Sequence, residues 1–182
     1  MAEKDLRASK RYASALFATA QKQNSIERVE ADFVAVIELM QATPAFQQMW
    51  DSPLVPAGRK RDLITRILDT VVNPLTLAFL RLLVDKRREA LLSTVQFEMR
   101  QLADTSRHLV RAEAIFATPP TAAEQADLVK SLEKRTGDHV DLTISVDAAI
   151  LGGIIVRMQD TILDGSVRGT LERMREQLLQ EA

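Results

Sequence analysis

The stretch LGGIIVRMQDTILDGSVRG, residues 151–169, holds four of the six glycines in a chain of 182 residues. Glycine concentrates where the backbone must adopt a conformation closed to other residues, or where another group must approach it closely. Two interpretations follow. The glycines could form a phosphate-binding loop ahead of a helix, which would indicate an enzyme, or they could form a tightly folded structural corner.

The phosphate interpretation has little support in the motif itself. Glycines precede a predicted helix, and Arg157 and Arg168 lie near them in sequence, where they could neutralise an anion. However, the stretch matches neither the GxxxxGK[ST] nor the GxGxxG spacing, and it contains no lysine. We therefore favour the structural corner.

The corner interpretation begins with a bend and a hairpin. Gly152 and Gly153 turn the chain out of a preceding strand, and the apolar, largely β-branched residues 154–158 predict the next strand. A turn at residues 159–160 joins it to a short strand over 161–163.

The end of the stretch predicts a second turn and a helix start. Asp164-Gly165 is a strong turn dipeptide in which Gly165 would take a positive φ, and Ser166 is suited to cap the final helix. The residues to which we assign this structural role in the C-terminal domain are Gly152, Gly153, Arg157, Asp160, Asp164, Gly165, Ser166 and Arg168.

Composition narrows the class of protein. Apolar residues make up 46% and charged residues 27% of the chain, as in ordinary globular proteins. The formal net charge of −1 gives no general attraction to nucleic acid or anionic membranes, and the absence of cysteine excludes disulfides and thiolate chemistry. The longest apolar run, residues 148–156, is too short to span a bilayer. We expect a soluble, intracellular protein.

The pattern of the sequence changes near residue 105. Helical periodicity dominates before it and predicts six helices, whereas alternating strands and two helices follow. We predict a mainly α protein, with a six-helix bundle over 1–105 and a small α+β domain over 106–182. The clearest predicted strand should bury its apolar positions, which are Val140, Leu142, Ile144 and Val146.

No set of residues indicates catalysis. His108 and His139 each stand alone, without a second ligand at metal spacing, and are most simply surface residues at strand starts. No nucleophile-elbow motif is present, and carboxylates on polar helix faces are explained by solvated ion pairs. We expect no metal, no cofactor and no enzymatic activity.

The fifth predicted helix has more apolar residues than one buried stripe requires. Leu75, Phe79 and Leu82 form one stripe, and further apolar side chains cover much of the remaining surface. The helix could lie at the centre of the bundle, or its surplus apolar surface, together with small residues of the first helix, could bind a partner helix. The candidate residues for such a groove are Tyr12, Ala15, Leu16, Thr19, Leu77, Leu80 and Val84.

Two segments carry a family resemblance. RYASALFATA near the N-terminus and LGGIIVRMQDTILDGSVRGTLERM near the C-terminus resemble the signature segments of the delta subunit of F-type ATP synthase, the family of the oligomycin-sensitivity-conferring protein. DGSVR followed by a leucine-bearing helix is the specific part. Gln159 stands where the family usually has glycine, which bears on the geometry of the hairpin turn.

The resemblance implies a non-catalytic stator subunit. In this family the N-terminal bundle holds the N-terminal helix of an alpha subunit between its first and fifth helices, and the C-terminal domain grips the end of subunit b. The implied location is the cytoplasmic face of the bacterial cell membrane, peripherally bound within the ATP synthase complex, with no nucleic acid, no small-molecule substrate and no membrane span of its own. The alternatives are a generic helical adaptor of another complex and, less favoured, a phosphate-binding enzyme that uses the Gly152–Gly169 loop.

Overall fold

The structure is a computed structural model that describes residues 2–158 and 161–180, with side chains over 5–158 and 161–175. The predicted turn at Gln159 and Asp160 therefore lies outside the described residues. Contacts between Cα positions divide the chain into two compact units, 1–103 and 104–182.

The described chain is mainly helical, with a small sheet on its C-terminal side. The elements of the first unit are α1 (Ala2–Lys22), α2 (Ile26–Ala42), α3 (Pro44–Asp51), α4 (Ala57–Leu68), α5 (Pro74–Asp85), a 3-10 turn (Glu89–Leu91) and α6 (Leu92–Ser106), whose last residues fall in the second unit. The second unit contains β1 (Leu109–Phe116), α7 (Ala122–Thr136), β2 (His139–Val146), a 3-10 turn (Ala148–Ile150), β3 (Ile154–Met158), β4 (Thr161–Asp164) and α8 (Val167–Gln180). No helix in the described part of the chain is long and apolar enough to cross a membrane.

A single cluster of buried apolar side chains forms the core of the first unit and draws on α1 to α6. The ring of Phe33 on α2 meets the ring of Phe79 on α5 edge-on, with centroids 5.8 Å apart. Leu80 and Val84 of α5 are fully buried. Helix α5 therefore lies at the centre of this core, which is one of the two alternatives that its sequence left open.

Polar contacts fix the start of α5. The side chain of Asn73 accepts a hydrogen bond from the Leu75 N–H at 2.8 Å, and proline occupies the first helical position. From α2, the buried carboxylate of Asp32 accepts bonds from the Asn73 N–H at 2.7 Å and the Thr76 hydroxyl at 2.8 Å. The free donors at this helix end are thus satisfied partly by a neighbouring helix.

A second buried charge joins three segments of the first unit. The ammonium of Lys60 on α4, 3% exposed, donates to the Trp50 carbonyl at 2.6 Å and to the Glu89 carboxylate at 2.8 Å. Both bonds are needed because a buried cation without partners would be strongly unfavourable.

The sheet of the second unit has the strand order β2-β1-β3-β4. Strand β1 pairs in parallel with β2 over its whole length and antiparallel with β3, and β3 pairs antiparallel with β4. The β1–β2 connection carries α7, as parallel neighbours require a crossover. Helix α7 packs on one face of the sheet, where Leu132 is buried with Val110, Ala112 and Val156.

Local sequence signals mark both ends of α7. Thr121 and Glu124 form a reciprocal capping box, and Gly137 ends the helix at φ 80°. The Thr121 N–H, together with its hydroxyl, lowers the pKa of Glu124 below its ordinary value.

The expected burial of β2 needs correction. Val140, Leu142 and Ile144 are only half-buried, and Val146 is 51% exposed. The physical reason is that β2 is an edge strand: among the described residues, no strand lies on one of its flanks.

Candidate partner-binding sites

Helices α1 and α5 meet at an aromatic contact. The Tyr12 ring lies edge-on to the Phe79 ring, with centroids 6.2 Å apart and an interplanar angle of 77°. Near the N-terminal end of α1, the Asp5 carboxylate lies 3.2 Å from the guanidinium of Arg88, a residue that follows α5. These two contacts hold α1 beside α5, where the sequence predicted a groove.

The predicted groove residues separate by burial. Tyr12 and Thr19 are half-buried and Ala15 is exposed, whereas the other four are buried in the core. The exposed fractions of those four are 4% for Leu16, 5% for Leu77, and 0% for Leu80 and Val84.

The expectation of surplus exposed apolar surface at Leu77, Leu80 and Val84 is therefore corrected. Helix α5 has neighbours on two sides: Phe79 contacts Phe33 of α2, and the Arg81 guanidinium donates to the Thr65 hydroxyl of α4 at 2.7 Å. A helix packed on both sides needs more than one apolar stripe.

The least buried line of α5 consists of half-buried Leu75 and exposed Ala78 and Leu82, which follow one another at helical spacing. Leu82 is 39% exposed, and Phe79 lies on the same side of the helix next to Tyr12. The sequence analysis identified the stripe that contains Leu75 and Leu82, but it assigned Leu77, Leu80 and Val84 to the partner groove. The structure buries those three in the core and leaves Leu82 exposed. We define the α1–α5 surface as Tyr12, Ala15, Thr19, Leu75, Ala78 and Leu82.

The glycine-rich corner of the second unit depends on close backbone contacts. Gly153 has φ 77°, and a Cβ atom there would collide with the Gly165 carbonyl oxygen. The Gly165 N–H donates to the Ile154 carbonyl at 2.9 Å, and the Gly152 carbonyl accepts from the Val167 N–H at 3.0 Å. The chain at residues 152–153 thus lies directly against the start of α8.

The prediction of a positive φ at Gly165 is wrong. A Cβ added to Gly165 would lie 3.2 Å from the Ile154 carbonyl oxygen, so close packing is what restricts this position. Asp164-Gly165 leads directly into α8 and does not form the tip of a hairpin.

The N-terminus of α8 is closed by the chain's own side chains. The Ser166 hydroxyl accepts a hydrogen bond from the Gly169 N–H at 2.9 Å, which confirms the predicted cap. The Asp164 carboxylate accepts from the Ser166 N–H, also at 2.9 Å. Hydrogen bonds from the hydroxyl and the N–H of Ser166 lower the pKa of Asp164 below its ordinary value of 3.8.

This geometry contradicts the phosphate interpretation. The N–H groups of Ser166, Val167 and Gly169, which an anion would need, already donate within the chain. The two arginines do not converge on the loop either: the Arg157 guanidinium lies 3.7 Å from Glu113, and that of Arg168 lies 3.1 Å from Glu172.

The histidines lie on the surface at the starts of strands. His108 directly precedes β1 and His139 is the first residue of β2, with side chains 82% and 84% exposed. Within the described residues, no three histidine, aspartate or glutamate side chains group as a metal site would require.

Helix α8 presents an apolar line to solvent. Val167 is 47% exposed, Leu171 56% and Met174 54%, and the three lie on one side of the helix. We call these three residues the α8 face.

The fold agrees with that of a known class of assembly subunit. The chain belongs to the ATP synthase delta (OSCP) subunit family, whose sequence profile matches residues 8–178. This is a family of non-catalytic stator subunits of F-type ATP synthase.

Similar proteins come from diverse organisms. The chain is 31% identical over 172 residues to ATP synthase subunit delta of Syntrophomonas wolfei, with 94% of each chain covered. It is 35% identical over 172 residues to the delta subunit of Chlorobium phaeovibrioides, covering 94% of this chain and 95% of the relative. Among solved structures, a chain of the Toxoplasma gondii mitochondrial ATP synthase hexamer superposes with a TM-score of 0.71 at 28% identity, covering 94% of this chain and 97% of that one.

Proposed function

We propose that this subunit joins the catalytic head of an F-type ATP synthase to its peripheral stalk, with the unit 1–103 bound to the head and the unit 104–182 bound to the stalk. It prevents the head from turning with the rotor, so that proton flow drives ATP synthesis at the cytoplasmic face of the bacterial cell membrane. Family membership supports this role.

The α1–α5 surface is the proposed site for the N-terminal helix of an alpha subunit. The observation that carries this assignment is a shallow apolar strip beside the Tyr12–Phe79 contact, in which Ala15, Ala78 and Leu82 are exposed. Small side chains on both helices allow a third helix to approach closely. Leu16, Leu77, Leu80 and Val84 support this strip from the core beneath it.

Calorimetric titration with a peptide of the alpha-subunit N-terminus tests the assignment. Leu82→Asp adds a charge to the proposed contact and should weaken binding at least about tenfold, because that charge loses water when the helix binds. Leu63→Asp is the matched control, since Leu63 on α4 is also 39% exposed and lies outside the α1–α5 surface. Equal affinities of the two variants would contradict the site.

The α8 face is the proposed contact with subunit b. Three large apolar side chains about half-exposed on one helix are suited to pack against another amphipathic helix. Leu171→Asp should abolish co-purification of subunit b while peptide binding at the α1–α5 surface persists. Phe97→Asp, at a similarly exposed position of the first unit, is the control. Normal retention of subunit b by the Leu171 variant would remove the α8 face from the proposal.

A further inference from the structure

Strand β2 forms one edge of the sheet. It pairs with β1 from His139 to Val146, and the described part of the chain supplies no strand on its other flank. At eight residues it is twice as long as β4, the strand at the opposite edge.

The hydrogen bonds of β2 show which backbone groups face outward. The His139 N–H donates to the His108 carbonyl at 2.9 Å, and just beyond the strand the Asp147 N–H donates to the Phe116 carbonyl at 2.8 Å. Odd-numbered residues therefore face β1, and even-numbered residues point their N–H and C=O groups away from the sheet.

One of these outward groups is already occupied. The Val140 N–H donates to the Glu133 carboxylate on α7 at 3.3 Å. For Leu142, Ile144 and Val146, no outward backbone hydrogen bond occurs within the described residues. Three consecutive outward positions thus form an unpaired ladder.

This edge has few of the usual protections against pairing. Natural edge strands are commonly short, interrupted by a bulge or a proline, or charged at their pairing positions. The β1–β2 register is continuous, the strand contains no proline, and its outward positions carry leucine, isoleucine and valine. An edge of this kind accepts a further strand readily.

The charges around the edge indicate the chemistry of that strand. Asp138 and Asp141 lie at the start of β2, Asp147 follows its end, and Glu133 lies beside it. Arg111, the nearby cation, is already paired with Asp104 at 2.7 Å and Asp141 at 2.8 Å. Four carboxylates thus lie along the edge, whereas Arg111 is shared between Asp141 and Asp104, which favours a cationic partner strand.

We propose that the β2 edge binds an extended segment of another protein, in which apolar residues alternate with lysine or arginine, as a fifth strand of the sheet. Its backbone would bond to Leu142, Ile144 and Val146, its apolar side chains would lie on the α7 side, and its cations would lie near Asp141 and Asp147. This interaction is independent of the α1–α5 surface and the α8 face.

A synthetic octapeptide of alternating valine and lysine, blocked at both ends, is the probe for the full-length chain. Binding should shift the amide resonances of Leu142, Ile144 and Val146 and slow their hydrogen exchange. A peptide with glutamate in place of lysine should bind at least about tenfold more weakly, because its charges repel the edge. Equal binding of the two peptides, or shifts confined to other elements, would overturn the proposal.

Ile144→Pro removes one outward N–H without removing a bond to β1, since that N–H faces away from the sheet. It should weaken peptide binding at least about tenfold, whereas Ile144→Val should leave binding unchanged. A valine–lysine peptide that is N-methylated at alternate residues lacks the N–H groups that would donate to the β2 edge. It should fail to bind the unmodified protein. Undiminished binding of the N-methylated peptide would refute the pairing even if the proline variant did not fold.

A second copy of this chain is the competing occupant. Sedimentation of the free protein distinguishes it: the proposal requires a monomer. A concentration-dependent dimer that Ile144→Pro abolishes would assign the edge to self-association instead and overturn the proposal.

Discussion

The first unit and the glycine-rich corner of the second unit reach close packing in opposite ways. In the first unit large side chains fill the space between helices, and Phe33, Leu80 and Leu83 are almost wholly buried. In the corner the absence of side chains brings backbone against backbone, as at Gly153 and Gly165. Removing atoms should therefore damage the first region, and adding atoms should damage the second.

Of the substitutions that test this comparison, Leu80→Asp should cause the largest loss of stability. It places an unpaired charge at a fully buried position and should destabilise the first unit by about 4–5 kcal/mol or more. The emission of Trp50, the chain's only tryptophan and 3% exposed in that unit, reports the loss of structure. Leu82→Asp, on the same helix but 39% exposed, should change stability by only about 0.5 kcal/mol. Similar losses in the two variants would mean that the position of α5 at the centre of the core is wrong.

Gly153→Ala tests the opposite region with a single methyl group. The positive φ alone costs about 1–3 kcal/mol, and the collision with the Gly165 carbonyl oxygen adds to it. The amide resonances of β3 and β4 should change, whereas the emission of Trp50 should not. Gly58→Ala is the control, because a Cβ at Gly58 meets no atom within 4 Å. Unaltered β3 and β4 resonances in the Gly153 variant would contradict the backbone-contact account.

Asp164→Asn should have the smallest effect, and one that depends on pH. The folded state lowers the pKa of Asp164, so the carboxylate stabilises the fold above its ordinary pKa of 3.8 and loses this contribution as pH falls through the folded pKa. The unfolding midpoints of the parent and the variant should differ slightly at pH 7 and converge below pH 3.8. A difference that stays constant with pH would show that the Asp164 carboxylate does not contribute through its charge.

Local signals in the sequence predicted the local structure well. The cap at Ser166 was predicted because it depends on Gly169, only three positions away. The caps at Asn73, Thr121 and Gly137 are equally local. Alternation likewise indicates β1 and β2, and the apolar, largely β-branched residues 154–158 indicate β3. The parallel order of β1 and β2 was not predicted, since it depends on contacts between residues 30 positions apart, such as Leu109 and His139.

The burial of the candidate groove residues was predicted only in part, for a physical reason. Helix α5 carries two apolar stripes, and periodicity does not distinguish the stripe that enters the core from the one at its margin. The contacts of Phe79 with Tyr12 and Phe33 make that choice, and they join helices far apart in sequence. The φ of Gly165 was predicted wrongly for a similar reason. A side chain at Gly165 would be restricted by the carbonyl oxygen of Ile154 in β3, eleven residues earlier in the chain.

The central position of β1 has a consequence for synthesis of the chain on the ribosome. Strand β1 is made before both of its neighbours, and its antiparallel partner β3 ends at Met158. The first unit depends on contacts among residues that have already emerged by then, so we expect it to fold early. Until β2 and β3 have been made, both edges of β1 lack the partner strands that they have in the folded sheet. We therefore expect a nascent chain halted between β1 and β3 to be the form most dependent on chaperones.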